Sequence, residues 1–227
     1  MMKYYSIAID GPAASGKSTA GKGVSKRLNF VYLDTGSMYR AFALHMMNLN
    51  YPCDDSALAT IALKSFKLDM KEDESIFLNG TNITKRIREL DVSKNVSEAC
   101  KHKDVREEMV KIQQEFARSN NVVMDGRDIA TVVLPNADLK IYQVATVDAR
   151  AQRRYHEMLE KGDKVEYEDI VKDIERRDYI DSTRENSPLT KASDAIVLDT
   201  SNLTIEEEID KIIELFVKKT GYKLENK

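Results

Sequence analysis

The stretch Tyr5-Ser6-Ile7-Ala8-Ile9-Asp10-Gly11-Pro12-Ala13-Ala14-Ser15-Gly16-Lys17-Ser18 decides the fold. It opens with an apolar run of strand length and closes on the phosphate-loop pattern G-x-x-x-x-G-K-[ST]. From Gly16 to Leu28 the spacing predicts a helix, with Ala20, Val24 and Leu28 on one stripe. The motif thus sits between a strand and a helix, where its mechanism needs it. Glycines at both ends let the backbone wrap closely and turn its N–H groups inward, and the helix adds its positive dipole end. Gly11, Pro12, Ala13, Ala14, Ser15, Gly16, Lys17, Ser18 and Thr19 are the candidate triphosphate cradle. In such a loop the lysine, Lys17, bridges the β- and γ-phosphates and the hydroxyl of Ser18 ligates Mg²⁺. This is the signature of a nucleoside-triphosphate site.

Outward from this stretch, short apolar runs alternate with amphipathic helices. Phe30-Val31-Tyr32-Leu33 reads as a second strand, followed by a helix from about Ser37 to Leu49 with Met38, Phe42, Met46 and Leu49 on one face. Val122 to Met124, Leu139 to Val144 and Ala195 to Leu198 are further strands. Val105, Met109, Ile112 and Phe116 mark one helix, and Ile205, Ile209, Ile212 and Phe216 mark the last. Strands separated by helices imply right-handed crossovers and a doubly wound, mostly parallel α/β sheet. Two excursions break the rhythm. Between Phe66 and Ile83 the period becomes two, interrupted by Glu72-Asp73-Glu74 and by Asn79-Gly80, a tight-hairpin signal, so a small antiparallel meander is expected. Asp148 to Asp178 reads as a charged helical pair with Gly162 as a helix stop, either a mobile lid or a solvated hairpin. The expected organisation is a single domain: core about 1–36, 100–147 and 179–227, insert about 37–99 and lid about 148–178.

Composition narrows the function. With 35 Lys+Arg against 38 Asp+Glu in 227 residues, the net charge is −3, unlike the basic balance of a nucleic-acid binder. Hydrophobic residues at 42% suit an ordinary globular domain. No apolar run approaches the ~18 residues of a membrane span, and Met1-Met2-Lys3-Tyr4-Tyr5 carries no targeting pattern. A cytoplasmic protein is expected, with Cys53 and Cys100 as plain thiols. His45, His102 and His156 form no catalytic constellation. A GTPase needs Asn/Thr-Lys-x-Asp, whereas Thr190-Lys191-Ala192-Ser193-Asp194 has one residue too many. A small-molecule kinase fits the length best, and its arginines should hold an anionic acceptor. Arg40 follows the second strand and Arg127 the third, while Arg177 and Arg184 flank Asp178 and Asp181 in what reads as a charged loop. Ligands of open α/β sheets bind at the carboxyl ends of strands, where Arg40, Arg127 and the phosphate loop should converge. Guanidinium forks suit phosphate oxygens, so the acceptor is itself expected to be a phosphate.

Four blocks then carry a family resemblance: Ile9-Asp10-Gly11-Pro12 with the phosphate loop, Asp34-Thr35-Gly36-Ser37-Met38-Tyr39-Arg40, Asp125-Gly126-Arg127-Asp128-Ile129-Ala130-Thr131-Val132-Val133, and Asp181-Ser182-Thr183-Arg184-Glu185-Asn186-Ser187-Pro188-Leu189. Over nearly its whole length the chain resembles bacterial-type cytidylate kinases. That resemblance implies a five-stranded parallel sheet with a monophosphate-binding insert and a helical lid. It implies transfer of the γ-phosphoryl group of ATP to CMP or dCMP with Mg²⁺. From charge and hydropathy no nucleic-acid or membrane partner is expected, and with no long exposed apolar surface evident in the sequence a monomer is expected. The resemblance further implies that Arg40, Arg127 and Arg184 grip the CMP phosphate beside Thr35, that Ser97, Arg106 and Asp128 read cytosine, and that Arg177 and Asp181 hold the ribose. Arg150, Arg153 and Arg154 would close over the ATP phosphates, so that Lys17, Arg127, Arg153, Arg154 and Arg184 form the catalytic set. Ala130 stands where the family pattern has Gly. The alternatives are a kinase for UMP, AMP or another small anion, and a slowly hydrolysing nucleotide-dependent switch.

Overall fold

The central strand β1 (Ser6–Asp10) carries Ile7, Ala8 and Ile9 fully buried, as a strand covered on both faces must. A computed structural model of the chain describes residues 4–71, 75–160 and 162–224. The expected Glu72-Asp73-Glu74 turn lies outside the described residues. After β1 come α1 (Lys17–Leu28), β2 (Val31–Asp34), α2 (Thr35–Asn48) and α3 (Ser56–Leu63). Three short strands follow, β3 (Leu68–Met70), β4 (Ile76–Leu78) and β5 (Thr81–Asn82), then a 3-10 turn at Arg86–Arg88. The chain continues through α4 (Leu90–Ala99), α5 (Lys103–Ala117), β6 (Val122–Gly126), a π-helical turn at Ile129–Val133 and β7 (Leu139–Val144). It closes with α6 (Val147–Glu160), α7 (Tyr167–Thr183), β8 (Ile196–Asp199) and α8 (Ile205–Thr220).

The large sheet has the order β2-β6-β1-β7-β8, and β1 runs parallel to both neighbours, with Asp10 level with Gly126 on β6 and with Tyr142 on β7. β7 and β8 are also parallel. The doubly wound α/β reading therefore holds, and the carboxyl ends of the strands share one edge of the sheet. The α1 stripe of Ala20, Val24 and Leu28 is buried with Ile7, Ile9, Val123, Ile141, Ile212 and Phe216. One expectation needs correcting: Ile205 is exposed, because it opens α8 beside the Thr204 capping box and the inward stripe begins at Ile209. A second correction concerns Tyr179 to Thr183, which carry α7 beyond the expected end of the helical pair at Asp178 and are not a loop.

The contacts divide the chain into two compact units, residues 1–33 with 116–227, and residues 34–115. In the second unit α2 packs on α4, burying Met38, Phe42 and Met46 from α2. Its small sheet is the expected antiparallel meander, in the order β3-β4-β5. Asn79 and Gly80 take φ values of 50° and 83°, the left-handed pair a two-residue hairpin requires. In the first unit α6 and α7 form a hairpin with a small core of its own, Ala151, Met158, Ile170 and Ile174. Gly162 follows α6 at a φ of 83°. Among the described residues no helix is long and apolar enough to cross a membrane.

Candidate functional site

The phosphate loop is fastened by side chains that bond to its main chain. A Cβ at Gly11 would be driven into the main-chain carbonyl of Gln143, so only glycine lets the loop leave β1 this close to β7. Gly16 caps α1 in the left-handed region at φ 96°. The N–H of Ala13 donates to Asp178 Oδ1 at 3.2 Å, and its carbonyl accepts from Arg150 Nη1 at 3.0 Å. Arg150 also pairs with Asp178 at 2.6 Å, which makes α6 and α7 a clasp on one loop residue. The Ser15 carbonyl accepts from the Gln143 amide, from Thr200 Oγ1 at 3.2 Å and from Arg153 Nη1 at 3.3 Å. Arg154 lies further out and pairs with Glu157 at 2.9 Å.

Lys17 lies curled over the loop, its Nζ donating to the Pro12 carbonyl at 2.6 Å and to Ser15 Oγ at 3.1 Å. Burial, followed by the nearby Arg127 cation, lowers its pKa to about 7 against the pull of Asp125 and Asp10. A polyanion beside it would favour the ammonium. Next to it, Ser18 Oγ donates to Asp125 Oδ2 at 2.9 Å. A hydroxyl and a carboxylate are hard oxygen donors of the kind Mg²⁺ takes alongside substrate phosphates, so this pair fits the ion. Asp125 was not among the candidate residues from sequence. Its signal was available, an acid directly after the apolar run Val122-Val123-Met124 at a strand's carboxyl end.

Asp181 organises the arginines of the first unit. Its Oδ2 accepts from Arg127 Nε at 2.7 Å, and its Oδ1 lies 3.6 Å from Arg184 Nη1. Burial would raise the Asp181 pKa, but Arg127 and Arg184 outweigh it and hold the carboxyl below its usual range. Arg184 Nε is further fixed by the Ser187 carbonyl at 2.9 Å. Asp10, at the end of β1, accepts from the backbone N–H groups of Ile129 and Ala130 at 2.8 and 2.7 Å. Burial nevertheless pushes its pKa up to about 6. That anchor sets the turn whose first carbonyl belongs to the buried Asp128, accepting from Val132 at 2.9 Å. Ala130 has no positive φ and its methyl is buried, so the turn accommodates alanine.

The second unit carries Thr35, Arg40, Ser97 and Arg106. Thr35 opens α2 and is buried, as is Ser97 on α4. Arg40 Nη2 lies 3.0 Å from Asp34 Oδ2, and Arg88 Nη2 reaches the same oxygen at 2.8 Å. Burial would raise the Asp34 pKa, but the two guanidiniums drive it far below the carboxylate range. Arg88 went unseen in the sequence, since nothing about Arg86-Ile87-Arg88 tells which arginine turns inward. The Arg106 guanidinium lies 5.2 Å from the centre of the Tyr39 ring and donates to the Cys100 carbonyl at 3.1 Å. The histidines match their structural reading where bonded: His45 meets the Ala62 carbonyl and His102 the Cys53 carbonyl. Cys53 and Cys100 are buried free thiols.

Comparison with known proteins gives the family and the fold. The cytidylate kinase family model matches residues 7–218. A cytidylate kinase of Bacillus subtilis (strain 168) is 48% identical over 223 residues, 97% of this chain and 100% of that protein. A cytidylate kinase of Fusobacterium nucleatum is 48% identical over 206 residues, 91% of this chain and 94% of its own length. An uncharacterized protein from Eubacterium ventriosum shares the fold in its crystal structure, with a TM-score of 0.52 at 13% identity, covering 95% of this chain and 99% of that one.

Proposed function

The chain belongs to the cytidylate kinase family, and on that premise we propose that it transfers the γ-phosphoryl group of ATP to CMP or dCMP, yielding ADP with CDP or dCDP. The observation that carries this reading is that a glycine-built loop at the end of the central strand holds both Lys17, seated on its own Pro12 carbonyl, and the hydrogen-bonded Ser18–Asp125 oxygens. Ser18 and Asp125 would hold Mg²⁺, which would supply positive charge to offset that of the donor phosphates. Lys17 stabilises charge on the transferring group, with the backbone N–H groups from Ala14 to Thr19 orienting the rest of the triphosphate. On the acceptor side, Arg127 and Arg184 grip the phosphate of CMP, and Asp181 holds them charged and aimed while meeting the ribose with Arg177. Arg40 and Thr35 serve the same phosphate. Asp128, with Ser97 and Arg106, reads cytosine: an ionised carboxylate is acceptor-only and suits the 4-amino group.

No general base is needed. A phosphate monoester has its second pKa near ~6, so the attacking oxygen is mostly ionised at neutral pH. Catalysis is then positioning and charge stabilisation with water kept out. The α6–α7 hairpin, resting on its small core, serves as the lid that excludes water, and it brings Arg153 and Arg154 toward the donor phosphates. A cytoplasmic monomer is part of the same proposal. The test is ADP release from ATP and Mg²⁺ with CMP, dCMP, UMP, AMP or GMP as acceptor. CMP and dCMP should drive turnover; preference for another acceptor, or acceptor-independent hydrolysis, would overturn the reading.

A further inference from the structure

Glycine is a much poorer helix former than alanine, so Gly21, in the second turn of α1, calls for a reason. The reason is Tyr32. A Cβ on Gly21 would stand 2.8 Å from Tyr32 Cε2, so the bare backbone of α1 is the seat on which that ring lies. The Lys22 ammonium stands over the ring, 5.6 Å from its centre. From this seat the phenol donates to Asp125 Oδ1 at 2.6 Å, the short length of a charge-assisted bond. The other oxygen, Oδ2, is left to Ser18 at 2.9 Å. Strand β2, helix α1 and strand β6 thereby join in one relay of Tyr32, Asp125 and Ser18.

We propose that Tyr32 is a positioning residue for the metal pair, fixing the rotation of the Asp125 carboxylate so that Oδ2 and the Ser18 hydroxyl together face the divalent cation of the nucleotide complex. This rests on the assignment of Mg²⁺ to Ser18 and Asp125. A carboxylate held at one oxygen cannot swing about its terminal torsion, and this restraint makes its second oxygen a directed ligand. Partners of this outer kind typically change metal affinity by about 10–100-fold. Tyr32 contacts no part of the acceptor in this scheme, so its loss should act on the metal alone.

The test uses Mn²⁺ as probe, its binding to the enzyme–ADP complex followed by electron paramagnetic resonance, in the wild type and in Tyr32→Phe, Gly21→Ala and Asp125→Asn. Tyr32→Phe keeps the ring and removes one hydroxyl. It should weaken Mn²⁺ by ~10-fold, raise the Mg²⁺ concentration for half-maximal rate in parallel, and leave the melting temperature and the KM for CMP unchanged. Gly21→Ala should reproduce the metal defect by unseating the ring, and the two changes combined should cost no more than the larger alone. Wild-type Mn²⁺ affinity in Tyr32→Phe, with Asp125→Asn impaired, would overturn the role of Tyr32. Wild-type affinity in Asp125→Asn would overturn the metal assignment itself.

Discussion

Around the phosphate loop Arg150, Arg153 and Gln143 hold main-chain carbonyls of the loop itself, Arg150 pairing with Asp178 as well, whereas the arginines assigned to the acceptor cluster about carboxylates, Arg184 with a further bond to the Ser187 carbonyl. Arg40 and Arg88 share Asp34, and Arg127 and Arg184 share Asp181. The difference separates two ways of building an anion site. The loop's main chain is held by Asp178, Arg150, Gln143 and Arg153, so a triphosphate would meet N–H groups already positioned by their surroundings. A guanidinium held by a carboxylate stays charged and aimed, yet an incoming phosphate offers similar oxygens and can draw it over. The donor end should therefore fail when a charge or the loop is lost, and the acceptor end should fail gradually and selectively.

The largest expected effect is at the donor end. Lys17→Ala removes a preorganised charge worth about 3–4 kcal/mol at the barrier, so kcat should fall by about 10²–10³ while circular dichroism stays that of the wild type. Near-normal turnover in a folded variant would break the donor assignment. A smaller and divided effect is expected at Asp181. Asp181→Ala frees Arg127 and Arg184 and deletes an acceptor for sugar hydroxyls, so kcat/KM should drop by roughly 1–3 kcal/mol and unequally for CMP and dCMP. Equal losses for the two substrates would leave Asp181 only the task of aiming arginines.

An effect on stability with none expected on turnover belongs to Glu208, a buried carboxyl on α8 that no sequence pattern singled out. Burial raises its pKa from 4.5 to about 7, with Arg153 and Gln143 opposing. An acid whose folded pKa is raised stabilises the protein below its unfolded pKa, and that contribution is lost as pH rises through the folded value. Glu208→Gln should thus match the wild type in thermal or denaturant stability near pH 5 and exceed it near pH 8, by about 1–3 kcal/mol. Equal stability at both pH values would show that Glu208 is already at ease when ionised.

The same contrast explains what the sequence made legible. The donor loop is a local motif, readable because its chemistry lies in consecutive backbone groups, and the Asn79-Gly80 hairpin was readable for the same reason. Helix α3 escaped notice because Ser56-Ala57-Leu58-Ala59-Thr60-Ile61-Ala62-Leu63 is apolar around much of its circumference and buries only Ala59 and Ala62. Tyr179 to Thr183 looked like a loop because charged residues crowd there, although Asp181 is turned inward. The partners that fasten the site, such as Gln143 to Ser15 or Tyr32 to Asp125, are 128 and 93 residues apart and leave no local trace. Of the acceptor residues, the arginines could be suspected from strand ends, while Ser97, Arg106 and Asp128 rested on resemblance.

The contrast is tested most directly at Asp128, which is buried in the turn anchored by Asp10. A site built to meet the 4-amino group of cytosine rejects a carbonyl in its place by up to about 10⁴–10⁵. Asp128→Asn keeps the shape but presents donors as well as an acceptor. The decisive measurement is kcat/KM for CMP and for UMP, with the KM for ATP, in this variant and the wild type. A base-reading carboxylate predicts that the CMP/UMP ratio collapses by at least ~10-fold while the KM for ATP holds steady. A ratio that stays at the wild-type value, or a loss shared equally by ATP, CMP and UMP, would contradict it.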